Sequence, residues 1–245
     1  MKTKASMLQF AALILLVSAC SNFGAEKQNL RLTYYEFSFD NSNPSFFGFE
    51  LIENDESVGP KSIIIYNKFA FIVDTYHSNI KRVNLLNGEL ISSPKLEEQR
   101  AWLRDIIEHN GKLYVLADLN QNFILDKNLN LLSTFALPSG PKYGIGKKDG
   151  YLSIYSGGKL LLLGQNEELI GTETAFYDVI NQPRNKVFHV NDSIITTEYG
   201  QFYHEGLFET TWKFYDSINF DYDDSKLVFF VINTHKITLY IINKR

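Results

Sequence analysis

The sequence predicts an all-β protein, and more narrowly a β-propeller built from four-stranded blades. Three observations support this: the chain has short apolar runs instead of a helical period, aromatic residues reach 14%, and a strand–turn–strand unit recurs. With 245 residues, 44% of them hydrophobic, the chain can bury a sizeable core. The formal net charge of −4 argues against nucleic-acid binding, which would need a basic surface.

The first twenty residues predict export and attachment to lipid. Lys2 and Lys4 precede an apolar run, residues 7–17, which is too short to span a bilayer as a helix. The following Val17-Ser18-Ala19-Cys20 resembles the lipobox of bacterial lipoproteins. The resemblance implies a signal peptide at residues 1–19 and a lipidated Cys20 as the first residue of the mature protein. An ordinary cleaved signal peptide with an incidental cysteine is the alternative.

These features predict a lipid-anchored protein of the bacterial cell envelope. Residues 20–29 form a polar tether, and Ser21 stands where aspartate would imply retention in the inner membrane, so we expect the outer membrane. Removing residues 1–19 takes away two lysines and no acid, which shifts the formal charge from −4 to −6. We therefore expect the lipid on Cys20, and no basic patch, to hold the protein at the membrane.

The predicted propeller domain, residues 30–245, contains five units with a strand, a polar turn and a second, more apolar strand. The second strands end near residues 74, 118, 156, 198 and 231, a mean spacing of about 39 residues, which is typical of propeller blades. Each unit continues into a third strand, and the first four offer a fourth. Because one twisted sheet cannot bury both faces alone, the apolar second strands imply that neighbouring sheets stack.

The fifth unit reaches Arg245 with only three strands. Residues 30–39 read as a strand without a unit of its own, so we predict that they supply the missing outer strand and close the ring. Residues 46–52 are left over, which makes five blades the preferred number and six possible. A β-sandwich or barrel, which also has closely spaced strands, is the alternative.

The first two units also resemble NHL-type repeats, in which an aspartate and a small hydroxyl residue close the second strand and an isoleucine opens the third. Asp74, Thr75 and Ile80 match this pattern, whereas His77 and Asn79 depart from it. The second unit keeps the aspartate, Asp118, and the later units keep only the strand pattern. The resemblance implies the fold and, by analogy, a binding role.

Candidate binding residues lie on loops that a propeller brings to one face. Aromatic and arginine side chains on such loops are typical of recognition surfaces. The candidates are Tyr76, His77, Trp102, Arg104, Tyr177 and Arg184. Packing of Trp102 between two blades is the alternative for that residue.

Motifs that would indicate catalysis or a metal are weak. Asp118, Asn120 and Asn122 have the opening spacing of a calcium loop, but Phe123 and Leu129 replace its glycine and glutamate, so a polar turn is expected. The five histidines lack metal-ligand spacing, and no catalytic residue can be assigned.

We therefore expect no cofactor or metal, and a module that binds or scaffolds a protein or small ligand. The alternative is a propeller enzyme, similar to a lactonase or a lyase, that acts on a sugar-type substrate at the central channel.

Overall fold

Antiparallel β-sheets follow one another along the chain in the computed structural model, which describes residues 31–52, 57–96, 102–118, 121–138, 142–174, 188–191, 194–197, 200–203, 220–223, 225–232 and 235–243. The described parts contain no helix, and hence none long and apolar enough to cross a membrane. Three strands precede the first large sheet: β1 (Arg31–Ser38), β2 (Glu50–Leu51) and β3 (Ser57–Val58).

Three successive four-stranded sheets come next, each with its strands in chain order. The first contains β4 (Pro60–Tyr66), β5 (Phe69–Asp74), β6 (Asn79–Asn84) and β7 (Leu90–Ser92). The second contains β8 (Leu103–His109), β9 (Lys112–Ala117), β10 (Gln121–Leu125) and β11 (Leu131–Ala136). The third contains β12 (Lys142–Lys148), β13 (Tyr151–Ser156), β14 (Lys159–Leu163) and β15 (Leu169–Thr174).

The last two sheets differ in composition. The fourth has three described strands, β16 (Phe188–Asn191), β17 (Ile194–Thr197) and β18 (Gly200–Tyr203). The predicted fourth strand of this unit, 209–215, lies outside the described residues. The fifth sheet contains β19 (Phe220–Tyr222), β20 (Lys226–Ile232) and β21 (Lys236–Asn243), with β1 as its outer strand.

The sheets stack as the blades of a propeller, which confirms the predicted fold class. The first strands of neighbouring sheets contact each other, β4 with β8, β8 with β12, and β4 with β19, so they form an inner layer. Apolar side chains fill the spaces between the sheets. Within β9, Leu113 and Val115 pack against the first sheet, whereas Tyr114 and Leu116 pack against the third. A strand buried on both faces is what the apolar second strands predicted.

The N-terminal strand pairs with the last strand of the chain. All eight residues of β1 align with β21, from Arg31 opposite Asn243 to Ser38 opposite Lys236. This is the outer strand that the sequence predicted for the fifth unit. The first and fifth sheets also share one apolar layer, in which Ile72 packs near Phe230. Closure of a complete ring through β1 stays a prediction.

The segment between β1 and β4 covers one end of the first sheet and contributes no further blade. Its only described strands, β2 and β3, pair with each other in a two-stranded ribbon. Phe47 and Phe49 are buried in the layer between the first and fifth sheets, where the ring of Phe49 stacks on Phe39 at 5.0 Å. Within the left-over residues 46–52, Phe47 and Phe49 therefore extend the core between two blades, whereas Phe46, Leu51 and Ile52 are exposed.

The two ends of the sheets differ in their connections. At one end, called here the turn face, the inner strands return through the two-residue turns 67–68, 110–111 and 149–150. At the other end, called here the loop face, the inner strands begin and the second strands end. Pro60, the first residue of β4, pairs there with Asp74, the last residue of β5. Thr75 Oγ1, just after β5, donates to the carbonyl of Leu103, the first residue of β8, at 2.7 Å. The described start of the connection after β7, residues 93–96, also lies at the loop face, where Leu96 N donates to the Ser78 carbonyl at 2.9 Å.

Candidate functional site on the loop face

Lys61 and Trp102 bring a cation and an aromatic ring together on the loop face. The Lys61 Nζ atom lies 5.9 Å from the centre of the Trp102 ring, which is a cation–π distance. The Trp102 carbonyl accepts a hydrogen bond of 3.0 Å from the backbone N–H of Asp118. This bond holds Trp102 beside the end of β9, and its half-buried side chain joins the start of the first sheet to the second.

Arg104 and Lys142 add two cations near the carboxylate of Asp118. Arg104 Nε donates to Asp118 Oδ1 at 2.6 Å, and both side chains remain about 30% exposed. Lys142 is buried at the start of β12, where Nζ donates to the Ala117 carbonyl at 3.3 Å. Burial lowers the pKa of Lys142, and the Asp118 carboxylate opposes this shift. Two inner strands thus carry Arg104 and Lys142 near one carboxylate, and a third carries Lys61 beside Trp102.

The inner strands are irregular where they carry these side chains. The pairing register shifts between Pro60 and Ile63 in β4, between Leu103 and Asp105 in β8, and between Lys142 and Gly144 in β12. Such bulges turn side chains away from the regular alternation of a strand and leave backbone N–H groups for other acceptors. The same irregularity therefore recurs at the loop-face end of three neighbouring blades.

Asp105 uses this irregularity to link three blades near the axis. Its Oδ1 accepts hydrogen bonds from Ser62 Oγ at 2.5 Å and from its neighbour Ile106 N at 2.8 Å. Its Oδ2 accepts one from Ile145 N, on β12, at 3.0 Å. Asp221 of β19 acts in a similar way, because its Oδ2 accepts a bond of 2.6 Å from Ile65 N on β4. Both carboxylates are thus occupied in joining inner strands.

Tyr76 and His77 lie in the turn after β5, which Asp74 organises. Asp74 Oδ1 accepts from Tyr76 N at 3.1 Å and from His77 N at 3.4 Å, while Oδ2 lies 3.0 Å from His77 Nδ1. Gly48 N also donates to Asp74 Oδ2 at 3.1 Å. A side chain on Gly48 would clash with the Tyr76 ring, since an added Cβ would lie 2.2 Å from it. The segment before β4 thus packs directly on this turn.

Lys81 is fully buried beneath the same segment. Its Nζ donates to the Pro44 carbonyl at 2.6 Å and to Ser92 Oγ at 3.0 Å, and it lies 3.4 Å from Asp74 Oδ2. Burial lowers the pKa of Lys81 to about 8, although the charge of Asp74 opposes the shift. The Asp74–Lys81 pair therefore fastens residues 40–49 over the first blade.

The structure groups the sequence-predicted candidates in two places. Trp102 and Arg104 belong to the cationic cluster, here defined as Lys61, Trp102, Arg104, Asp118 and Lys142. Tyr76 is half-buried and His77 only 9% exposed, under the segment before β4. Two candidates, Tyr177 and Arg184, and the lipidation residue Cys20 lie outside the described residues.

Three residues of this region were missed by the sequence analysis: Lys61, Asp105 and Lys142. Asp105 opens the predicted first strand of the second unit, whereas Lys61 and Lys142 lie just before the predicted first strands of the first and third units. That position was the available signal, because the loop-face ends of inner strands surround the axis of a propeller.

The turn between β10 and β11 folds as a polar turn, whereas Asn120 of the calcium-like spacing lies outside the described residues. Asp126 accepts hydrogen bonds from the backbone N–H groups of Asn128 and Asn130, at 2.8 and 2.9 Å. Asn122 is buried, and its amide oxygen accepts from Ala117 N at 3.1 Å. In the described parts of the chain, no group of three His, Cys, Asp or Glu side chains is placed to hold a metal ion.

The sequence matches no protein-family model and no curated protein. Among solved structures, the chain is similar to virginiamycin B lyase from Staphylococcus aureus, with 15% identity and a TM-score of 0.45 over 86% of this chain and 74% of that one. It is also similar to glutaminyl cyclase from Myxococcus xanthus, with 9% identity and a TM-score of 0.48 over 88% and 97% of the two chains. Similarities this distant carry no information about activity or ligand.

Proposed function

We propose that the protein is a lipid-anchored binding module of the bacterial cell envelope, and that its propeller binds an anionic ligand or protein segment on the loop face. The observation that carries the proposal is the cationic cluster. Arg104 and Lys142 supply two positive charges near Asp118, and Lys61 adds a third beside the aromatic ring of Trp102. Partly buried cations next to an aromatic ring suit a carboxylate-bearing partner, because low local polarity strengthens the attraction.

The NHL-like residues of the first two units fit a binding role, since Asp74 and Thr75 build the turn beside this face. Attachment through Cys20 supplies the membrane partner, and the outer membrane is the proposed location. No nucleic-acid partner is proposed, because the whole chain carries a formal charge of −4.

The membrane address is tested by replacing Cys20. Cells that express the wild-type chain or Cys20→Ser are fed an alkyne fatty acid, and the protein is analysed by click labelling and by mass spectrometry of its N-terminal peptide. We expect label and a diacylated or triacylated Cys20 in the wild type alone. An unacylated wild-type protein that starts at another residue would refute the lipid anchor.

The binding site is tested with the soluble Cys20→Ser chain. A fluorescent poly-glutamate peptide serves as the anionic probe and a poly-glutamine peptide as the neutral control, in fluorescence polarisation at low salt. We expect saturable binding of the acidic probe alone, weakened about tenfold by Arg104→Ala or Lys61→Ala, since tenfold corresponds to about 1.4 kcal/mol.

Lys147→Ala is the matched control for those variants. Lys147 lies toward the turn face and its exposed side chain is 3.5 Å from Glu108. Its loss should leave binding of the acidic probe within about twofold of the parent, a change below 0.5 kcal/mol. Equal binding of both peptides, or an equal effect of all three variants, would contradict the proposed site.

The second candidate is a propeller enzyme, similar to a lactonase or a lyase, that acts on a sugar-type substrate at the central channel. The observation in its favour is the pair of buried groups Asp74 and His77, because the carboxylate on Nδ1 orients an imidazole. Its Nε2 is buried beneath the segment before β4, so residues 40–49 must move before a substrate reaches it. Hydrolysis of a panel of sugar lactones, abolished by His77→Gln with unchanged thermal stability, would favour this candidate. A metal bound stoichiometrically to the purified protein would favour it as well.

A further inference from the structure

We infer that the turn face of the propeller is directed at the lipid bilayer and that the loop face, with the cationic cluster, is held away from it. The inference rests on the lipidation of Cys20 proposed above. It specifies which side of the domain faces the membrane, which neither the lipidation motif nor the fold gives alone.

The pairing of β1 with β21 fixes the direction of β1. Its first residue, Arg31, lies opposite Asn243, and its last residue, Ser38, lies opposite Lys236. Immediately beyond Ser38, Phe39 N donates to the His235 carbonyl at 3.2 Å, in the connection between β20 and β21. The chain therefore runs along β1 toward the connection between β20 and β21.

Contacts with the first blade show which face each end of β1 reaches. Phe39 pairs with Phe47, and the adjacent Gly48 N donates to Asp74 Oδ2 at the loop-face end of β5. Earlier in β1, Tyr35 Oη donates to the Leu85 carbonyl at 3.2 Å, in the connection between β6 and β7 that lies at the turn-face end. The end of β1 thus lies at the loop face, and its beginning, Arg31, lies at the turn face.

The chain between the anchor and β1 is short. Ten residues, 21–30, separate Cys20 from Arg31. A chain of that length spans at most about 35 Å, and about 18 Å on average if it behaves as a flexible linker. A strand of six residues adds about 20 Å between the two faces. The turn face therefore lies closer to the lipid than the loop face by a distance comparable to the tether itself.

The shapes of the two faces agree with this orientation. The turn face is formed by tight connections, where Asn67, Asn110 and Asp149 adopt positive φ angles that allow two-residue turns. The loop face carries the longer connections between sheets and the cationic cluster. A compact face toward the bilayer leaves the recognition loops accessible to a partner from the aqueous side.

Two matched cysteine variants test the inference. Lys68→Cys lies in a turn of the turn face, and Lys95→Cys lies beside the loop face, where Leu96 N donates to the Ser78 carbonyl at 2.9 Å. Both lysines are exposed, belong to the first blade and lose the same charge. Acylated Cys20 has no free thiol, so each variant of the full, lipidated chain carries one reactive site for a fluorescent donor.

The labelled proteins are reconstituted into phosphatidylethanolamine–phosphatidylglycerol vesicles that contain a headgroup-labelled acceptor lipid. We expect more efficient energy transfer from position 68 than from position 95, corresponding to a distance difference on the order of 20 Å. Ten glycine and serine residues inserted within 21–29 should reduce this difference, because a longer tether relaxes the orientation.

Vesicle flotation separates the two claims. If the protein floats with the vesicles and both positions transfer energy equally, or position 95 transfers more, the orientation is wrong while the anchor stands. A difference that is insensitive to tether length also overturns it, since another contact would then orient the domain. If the protein does not float, the lipid anchor fails and the orientation falls with it.

Discussion

Replacement of Asp105 by alanine should destabilise the whole propeller more than its single position suggests. The buried carboxylate accepts hydrogen bonds from three groups, on β4, β8 and β12, so it joins the inner strands of three blades. Alanine leaves the N–H groups of Ile106 and Ile145 without this acceptor, in a region closed to water. Each orphaned donor costs about 1–3 kcal/mol, whereas the Ser62 hydroxyl can rotate toward another acceptor at lower cost.

The two orphaned donors together lower the free energy of unfolding by about 2–6 kcal/mol, with a central value of about 4 kcal/mol. Domains have about 5–15 kcal/mol in total, so the variant loses a large share of its stability. Asp105→Asn should be intermediate, at about 2 kcal/mol, because one oxygen still accepts while the amide nitrogen faces a donor. Ser62→Ala removes one bond and should cost about 1 kcal/mol.

The assay is urea denaturation of the soluble Cys20→Ser chain at pH 7, followed by tryptophan fluorescence and by far-ultraviolet circular dichroism. Glu89→Ala removes an exposed carboxylate and should change the unfolding free energy by less than about 0.5 kcal/mol. If Asp105→Ala is as stable as Glu89→Ala, with an unchanged denaturant slope, the carboxylate does not hold the blades together and the reasoning fails.

Three further predictions concern the first and fifth blades. The pKa of Lys81 is about 8 in the folded chain, so between about pH 8 and pH 10.5 the folded chain has released a proton that the unfolded chain still binds. The free energy of unfolding should therefore rise with pH in this range, by up to about 1.4 kcal/mol per pH unit. If urea denaturation shows the same rise with pH in Lys81→Met, this prediction is contradicted. Gly88→Ala places a methyl group 2.5 Å from the ring of Tyr35, whereas the methyl group of Gly150→Ala, also at positive φ, has nothing within 4 Å. In thermal melts, Gly88→Ala should be less stable than Gly150→Ala by about 1–3 kcal/mol. Equal melting temperatures would exclude the clash. Cysteines at Glu36 and Thr238, which are paired residues of β1 and β21, should form a disulfide in the Cys20→Ser background, seen as a gel shift without reductant; its absence under oxidising conditions would refute the pairing.

The blade pattern was predictable because it is a local signal. The second strands have apolar residues at consecutive positions, as in Phe71, Ile72 and Val73, and the structure buries these residues between sheets. The outer strand of the fifth sheet was predictable for a different reason, since a three-stranded last unit and an unassigned first strand complement each other. Both inferences need only the order of strands along the chain.

The burial of polar groups was not predictable in the same way. Lys81 lies in a predicted strand with no sign that Pro44, far away in sequence, would accept a hydrogen bond from its ammonium group. His77 was expected on an accessible loop, and its burial depends on Gly48, which packs against the ring of its neighbour Tyr76. Such contacts depend on the path of one connecting segment, which neither propensity nor periodicity encodes.

The pairing of β1 with β21 also has a consequence for synthesis. Glu36 and Lys236 form an ion pair although 200 positions separate them in the sequence. Since a ribosome makes the chain from its N-terminus, β1 emerges long before β21, and its hydrogen-bonding edge stays unpaired until β21 has been made. A chaperone or a translocation channel that shields this edge would keep a half-made chain from pairing with its neighbours.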